Sequence, residues 1–464
     1  MSFTPSSPAW SSAPSSPAGS PVPSSPAWSP APEEEDDEDE RYKNVPYSTV
    51  ESASYGESRN NKPLPLHLPQ FLVLGEEDGI LRFRLSHLNV SLANAIRRTL
   101  LHDIPVYVLD TEQKCEIPVN TTRPRIHNEM IKHRLSCVPV HQPVTTDIAD
   151  TMEDYVAEIN KENDTGEMQT ISTEDIRIFD RKTQSYVSEN VVRRMFPKCD
   201  ISQSYILLGR LRPKINDLIP GEKMQITCGF SVRSAADSSA FTAVSTCAYM
   251  NTLDTNRIAE VWQNTQTKLE AEGANAKTIA FQKRNFELLD AQRYFLPDSF
   301  DFVLESVGIY KNMELVFMAC SILKQRFQRL GNALREGDAY MSLILPAKTT
   351  IERCHDFILE EGDYTLGPVL EFFIYHHHFL GYRDVQFCGF KKFHPHDSSS
   401  VIRIALAQES RDKSSERSGD AAFGKSSKQD VHIILDILLE ACDLAATFYQ
   451  NVLLSFSPQE TVAE

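Results

Sequence analysis

The sequence predicts an α+β fold made of two related halves, the first interrupted by an inserted α+β domain. Three observations predict it. Residues 89–140 read NVSLANAIRRTLLHDIPVYVLDTEQKCEIPVNTTRPRIHNEMIKHRLSCVPV and open with a helix signature. A near copy of that helix lies 274 residues later. The chain has 464 residues, 41% of them apolar, which is too much for one ordinary core.

In the first helix Ser91 is a suitable N-cap, because its hydroxyl can accept from an unpaired backbone N–H two or three residues on. Leu92, Ile96 and Leu100 follow at i, i+4 and i+8, with Ala95 and Thr99 beside them, as one apolar stripe. Pro105 stops the helix and pushes Ile104 towards an extended shape, so Val106-Tyr107-Val108 can run as a strand. In the copy, Ser91–Leu100 aligns with Thr365–Ile374. Leu366, Leu370 and Ile374 repeat the stripe, and Pro368 falls in the first turn, where no backbone N–H is needed. The arginine pair Arg97-Arg98 does not recur; Glu371 and Phe372 stand in its place.

Residues 1–60 read as a disordered tail. The first 32 residues are mostly Ser, Pro and Ala, SSPAW occurs twice, and Glu33–Glu40 is an unbroken acidic run. Such a tail can be a solubilising extension. It can also be a regulated partner-binding segment, since Ser7, Ser16, Ser20, Ser25 and Ser29 each precede Pro and Trp10 and Trp28 could anchor a partner. Order begins near Leu72. Leu81, Phe83 and Leu85 alternate with Arg82 and Arg84 as a half-buried strand.

Residues 116–222 change pattern and read as the insert. A helix, Asn128–Leu135, opens it; short strands (Ile176–Phe179, Tyr205–Leu208) alternate with polar loops such as Asp147–Thr170. The first half, 70–115, resumes over 223–334. Met224–Phe230 is its next strand, Phe241–Tyr249 is extended, and Trp262–Asn285 is a polar helical excursion. Phe300, Phe302 and Leu304 alternate as a strand. A helix with Leu315, Ala319, Ile322 and Leu323 then ends near Leu330, because Gly331-Asn332 is a natural stop. The second half, 335–464, starts with an element at Ala339–Leu345. The helix copy, strand Val385–Phe387, a turn at His394-Pro395 and strand Val401–Leu406 follow. Ser410–Gln429 reads as a mobile loop. The last helix carries Val431, Ile434, Leu438, Ala441, Leu444, Ala445 and Phe448, and spans on the order of 35–40 Å.

Composition narrows the function. Formal net charge is −17, and no basic run is present. Non-specific nucleic-acid binding depends on Lys and Arg displacing counterions, so the chain is a poor stand-alone DNA binder. The N-terminus lacks the basic start and apolar run of a secretory signal. Val431–Phe456 contains Asp436, Glu440 and Asp443 and reads as a packing helix, not a membrane span. The nine cysteines include no C-x-x-C, so no zinc-ribbon or iron–sulfur spacing exists, and they read as reduced thiols. Histidine groups occur at His127 with Glu129 and His133, at His376-His377-His378, and at His394 with His396. None has the H-E-x-x-H spacing. No phosphate-binding Gly-rich loop or nucleophile motif is present, so neither catalysis nor a cofactor is expected. Glu129 and His133 read as an i, i+4 pair, leaving Arg134 to reach a partner. Arg97 and Arg98 can be a solvent face, or an interface that uses planar guanidinium donors.

At these residues a resemblance becomes specific. NVSLANAIRRTLL with HNEMIKHRLSCVPV resembles the assembly subunits of multisubunit DNA-directed RNA polymerase, the bacterial alpha subunit and its archaeal and eukaryotic larger-partner (third-subunit) relatives. EEGDYTLGPVLEFFIYHHHFLGYRDVQFCGFKKFHPHDSSSVIRIAL resembles the smaller, eleventh-subunit partner; Tyr364, Pro368 and Phe393 depart from that pattern. Both on one chain resembles the fused subunit of large nucleocytoplasmic DNA viruses. The resemblance implies an intramolecular pseudo-heterodimer of two alpha-subunit-type dimerisation domains, joined near Gly331–Asp338 and closed by Leu92, Ile96, Leu100, Leu366, Leu370, Ile374, Leu438 and Leu444. It implies a non-catalytic assembly platform that docks the second-largest and largest polymerase subunits and small accessory subunits, with nucleic acid reached only through the complex and no membrane contact. Arg97, Arg98, Glu129, His133 and Arg134 would grip those partners. The implied location is the host cytoplasm (viral factory) and the virion, or the nucleus. The competing expectation is an adaptor or virion structural protein that recruits partners through its tail.

Overall fold

The structure, a computed structural model, describes residues 67–118, 126–144, 152–216, 220–336, 342–360, 362–407 and 423–456. All belong to one compact unit, Asn60–Glu464. The tail, the segment 337–341 and most of the expected loop at Ser410–Gln429 lie outside the described residues.

The first half opens with β1 (Gln70–Glu77), β2 (Ile80–Ser86) and α1 (Val90–His102). Alternation in β2 works as its residues require: Leu81, Phe83 and Leu85 are buried, while Arg84 on the other face grips Asp301 through two bonds of 2.6 and 3.0 Å. The chain then leaves through β3 (Val106–Leu109), β4 (Cys115–Glu116), α2 (Asn128–Ser136), β5 (Tyr155–Glu162), β6 (Gln169–Ser172), β7 (Arg177–Asp180), β8 (Ser185–Tyr186), α3 (Glu189–Met195), β9 (Leu207–Leu211) and β10 (Lys223–Arg233). It returns with β11 (Val244–Leu253), the helical hairpin α4 (Thr255–Ala271) and α5 (Ala276–Leu288), β12 (Phe295–Ser306) and α6 (Asn312–Glu336). The second half is β13 (Ile344–Pro346), β14 (Cys354–Leu359), α7 (Leu366–Ile374) with a π-helical turn over Tyr375–Tyr382, β15 (Val385–Lys391), β16 (Ser400–Leu406) and α8 (Phe423–Ser455).

The two halves share one topology. The first sheet has the order β1-β2-β12-β11 and the second β13-β14-β16-β15, all pairs antiparallel. Counted along each half, both orders are first, second, fourth, third, with a helix after the second strand and a longer helix after the fourth. A single apolar core runs through both halves, from Leu81 to Val452.

The intervening region has its own core. Its main sheet runs β3-β10-β5-β7-β8, with β4 also on β10, and β6 pairs with β9. Its buried cluster reaches from Tyr107 and Leu109 to Met224 and Phe230. This corrects the expectation that Met224–Phe230 belongs to the first half: β10 is an inner strand of the intervening sheet. Its run Met224-Ile226-Cys228-Phe230 faces the second core, and a strand buried in either core shows the same alternation. The expected polar loop Asp147–Thr170 contains β5, whose Val156, Ala157 and Ile159 are buried.

Two helix ends also differ from expectation. Gly331 does not stop α6, which continues to Glu336. Gly331 stays out of the positive-φ region and packs against Cys442 of α8. Beyond it Leu334 is buried and Arg335 reaches Asp443 at 2.6 Å, so tertiary contacts carry the helix past its weakest residue. α8 begins at Phe423, inside the expected loop, and its 33 residues span about 50 Å. Among the described residues no helix is long and apolar enough to cross a membrane.

Candidate functional site

The two helices that drew attention in the sequence face each other in the structure. α1 packs on α7, and α6 lies along α8. The relation between the copies is closer than the helices alone show. The offset of 274 residues continues without a gap into the preceding strands, where Phe83 and Leu85 match Phe357 and Leu359; all four are buried. Leu92, Ala93, Ala95, Ile96 and Leu100 are buried in α1; their counterparts Leu366, Gly367, Val369, Leu370 and Ile374 are buried in α7. Leu438 is fully buried and Leu444 partly so, in the same core. The eight residues expected to close the two halves are therefore brought together in one cluster. Gly367 is required where it stands, since a Cβ would lie 2.0 Å from the Phe390 ring.

In the first copy the cap sits two residues earlier than expected; in the second the helix starts after Thr365, as expected, but the capping side chain is that of Asp363. Asn89, not Ser91, caps α1: its side chain accepts from Ser91 N–H at 2.9 Å. Its counterpart Asp363 accepts from the N–H groups of Thr365 and Leu366 at 2.9 and 3.2 Å, and Thr365 makes no side-chain cap of its own. Both Asn and Asp are strong cap residues, and an Asx side chain readily reaches two residues on.

The arginine pair divides. Arg98 donates Nε–H to the Thr365 hydroxyl at 2.9 Å and Nη2–H to Asp363 at 3.3 Å. It therefore ties α1 to the start of α7. Arg326 of α6 joins the cluster, with Nη1 2.8 Å from Asp103 and Nη2 4.0 Å from Asp363. Burial acts to raise the Asp363 carboxyl, but the Thr365 hydroxyl, the two backbone amides and the Arg326 charge outweigh it, so the group sits below the usual aspartate value. Arg97 is half-exposed on α1 and donates to Asn94 of the same helix at 2.9 and 3.1 Å. Its counterpart Glu371 is half-buried, and burial raises its carboxyl. Beside the Arg98–Asp363 cluster an open cleft of about 350 Å³ is lined by Asp103, Pro105, Arg233, Asp237, Arg326 and Arg329.

Further contacts seal the halves. The Phe327 and Tyr449 rings stack at 6.0 Å, Tyr449 reaches the Leu92 carbonyl at 3.5 Å, and Lys324 donates to Gln450 at 2.6 Å. Sequence reasoning missed these. Phe327 lies on the same face as Leu323, four residues on, which was the available signal.

On α2, Glu129, His133 and Arg134 are exposed. The expected Glu129–His133 pair is not formed. His127 caps the helix and lies 3.7 Å from Glu129 instead, and Arg134 donates to the Leu208 carbonyl at 2.9 Å. Of the histidine run, His377 and His378 are buried beside Glu440 of α8, at 3.8 and 3.4 Å, and His378 lies 3.1 Å from Asp384. Burial lowers the His376 and His377 imidazoles below the usual value. Among the described residues no group of three or more His, Cys, Asp and Glu is arranged to hold a metal ion.

Comparison with known proteins agrees with this geometry for the first half. A family model described as the RNA polymerase Rpb3/Rpb11 dimerisation domain matches residues 82–327, more than half of the chain. DNA-directed RNA polymerase subunit Rpo3 of Pyrococcus furiosus is 30% identical over 92 residues, which are 19% of this chain and 33% of that protein. Subunit Rpo3 of Thermococcus kodakarensis is 28% identical over 95 residues, 20% of this chain and 35% of that one. The chain thus spans about a third of the length of the curated relatives it matches. The family match ends inside α6, ahead of the second half. On the family match, the chain belongs to the Rpb3/Rpb11 dimerisation-domain family of RNA polymerase subunits.

Proposed function

We propose that the chain is a non-catalytic assembly platform of a multisubunit DNA-directed RNA polymerase, in which both members of the dimerising pair are fused. The first half takes the larger-partner role, with the intervening domain inserted after α1. The second half takes the smaller-partner role. One observation carries this reading: the same strand order and helix placement occur twice on one chain, and both copies share one core. The family domain is named for dimerisation and matches the first half; the second half repeats its strand order and packs against it, so no second copy of the chain is needed to complete the pair.

The work of such a platform is to present surfaces to the second-largest and largest subunits and to small accessory subunits. Arg97 is the arginine left for that role, because Arg98 is engaged between the halves. Glu129, Met130 and His133 on the exposed side of α2 form a second candidate contact; Met130 is 62% exposed. Nucleotide chemistry and metal ions belong to the partners, and nucleic acid is met only within the complex. The fused arrangement fits a viral polymerase assembled in the host cytoplasm and carried in the virion.

Purification of the tagged chain from its native source in high salt tests the proposal. The expected result is recovery of both large polymerase subunits in equal amounts with the chain. Recovery of partners that depend only on residues 1–60, without large subunits, would replace it with an adaptor or virion structural role.

A further inference from the structure

Cys115 on β4 and Cys228 on β10 are register partners. The next pair along, Lys114 and Gly229, is joined by a hydrogen bond from Gly229 N–H to the Lys114 carbonyl at 2.9 Å. Antiparallel ladders alternate, so the cysteines occupy the neighbouring non-hydrogen-bonded position, where Cα atoms are about 4.5 Å apart and side chains are closest. Disulfides join residues whose Cα atoms lie about 4.4–6.8 Å apart, so no backbone movement is needed. Both thiols are free, and the Cys228 thiol lies 3.6 Å from the Gly229 carbonyl beside the ladder. Among the described residues no other two cysteines are register partners.

The two sulfurs differ in access and charge. Cys115 is partly exposed and Cys228 is 2% exposed. Lys132 of α2 donates to the Cys115 carbonyl at 3.2 Å, which brings an ammonium group close to that thiol. The neighbouring Cys228 thiol and the Lys132 charge hold the Cys115 thiol below its ordinary value against the opposing effect of burial. The neighbouring Cys115 sulfur and burial push the Cys228 thiol up. This is the division between an attacking and a resolving cysteine: one sulfur is reachable and ionisable, the other is protected behind it.

We propose that Cys115 and Cys228 form a reversible cross-strand disulfide, with Cys115 the entry point for a small disulfide such as oxidised glutathione. The Cys115 thiolate attacks one sulfur of the small disulfide. That S–S bond breaks, one thiolate leaves, and a mixed disulfide remains on Cys115. Cys228 then gives up its proton and its sulfur attacks the Cys115 sulfur, expelling the second small thiolate. Two protein thiols are oxidised to one disulfide, one small disulfide is reduced to two thiols, and the protons go to the departing thiolates. The bond would staple the two-residue strand β4 to β10, in the core of the intervening domain.

The test incubates the full chain, natively folded, with oxidised glutathione. Remaining thiols are then alkylated and the digest is read by mass spectrometry. The expected result is replacement of the separate Cys115 and Cys228 peptides by one cross-linked peptide, restored to the separate peptides by dithiothreitol. Cys228→Ser should stop at a glutathione adduct on Cys115, and Cys115→Ser should leave Cys228 unmodified. Glutathione on the exposed Cys137 or Cys199 while Cys115 and Cys228 both remain alkylatable would overturn the proposal, as would a Cys115 bond to a second chain. Should a serine variant fail to fold, the wild-type cross-link alone decides.

Discussion

Arg98 meets Asp363 across 265 residues of chain, its guanidinium 3.3 Å from the carboxylate and 2.9 Å from the neighbouring Thr365 hydroxyl. An arginine that sequence pattern assigns to an outside partner thus holds the two halves to each other. Arg98→Glu should set a second carboxylate against Asp363 and lower stability by about 1–3 kcal/mol, moderated because both side chains keep some solvent contact. Adding Asp363→Arg should recover part of the loss. Arg97→Glu, at a half-exposed position, should stay within about 0.5 kcal/mol of wild type while weakening large-subunit binding. Urea unfolding of the four proteins measures the first set, and co-purification the second. An unchanged midpoint for Arg98→Glu would show that the contact is absent in solution.

The same carboxylate predicts an acid response. Asp363 is held below the usual aspartate value in the folded chain, so its stabilisation is present above the unfolded value of about 3.9 and disappears as pH falls through the lower folded value. Melting curves of wild type and Asp363→Asn should therefore differ at neutral pH and converge under acid below about pH 4. A gap that persists at the lowest pH would mean that Asp363 acts through shape alone.

Cleavage between the halves should be tolerated only where the helix has ended. α6 carries buried Leu334 and the Arg335–Asp443 pair, so a break must fall after Glu336. Residues 61–336 and 342–464, expressed together, should purify as a one-to-one complex by light scattering. Each alone should self-associate, because α1 and α6, or α7 and α8, would expose their apolar faces. Two separate, monomeric, well-folded products would defeat the fused-pair reading.

Phe327→Ala removes a fully buried ring stacked on Tyr449 at the seam. A loss of about 3–5 kcal/mol is expected. Thermal and denaturant unfolding report it, and a cost under about 1 kcal/mol would show that the seam repacks freely.

The apolar stripes were legible because burial imposes a helical period on Leu92, Ile96 and Leu100, and the copy at Leu366, Leu370 and Ile374 repeats it. The cap of the first helix was misplaced by two residues because Ser91 is also a good cap type, and at the second helix Thr365 holds the cap position while only geometry shows that the Asp363 side chain makes the capping bonds. β10 was assigned to the wrong core because alternation records that a face is buried and not which neighbour buries it. Gly331 stopped the helix in the sequence but not in the structure, since packing on Cys442 outweighs the propensity of one residue. Arg98 carries no mark that separates a bond within the chain from one beyond it; its partners are hundreds of positions away.

The seam between α6 and α8 has a consequence during synthesis. Lys324 and Gln450, bonded across it, are 126 residues apart. At about 5–20 residues per second, the ribosome takes roughly 6–25 seconds to make the second after the first. Throughout that interval the nascent first half has its strands and its intervening domain but nothing to cover Leu323, Phe327 and Leu334. A two-chain pair must wait for an encounter whose timing depends on supply; here the covering half arrives on a fixed schedule, attached and in equal number. Ribosome pausing between α6 and α8 should therefore be the point at which this chain most needs a chaperone.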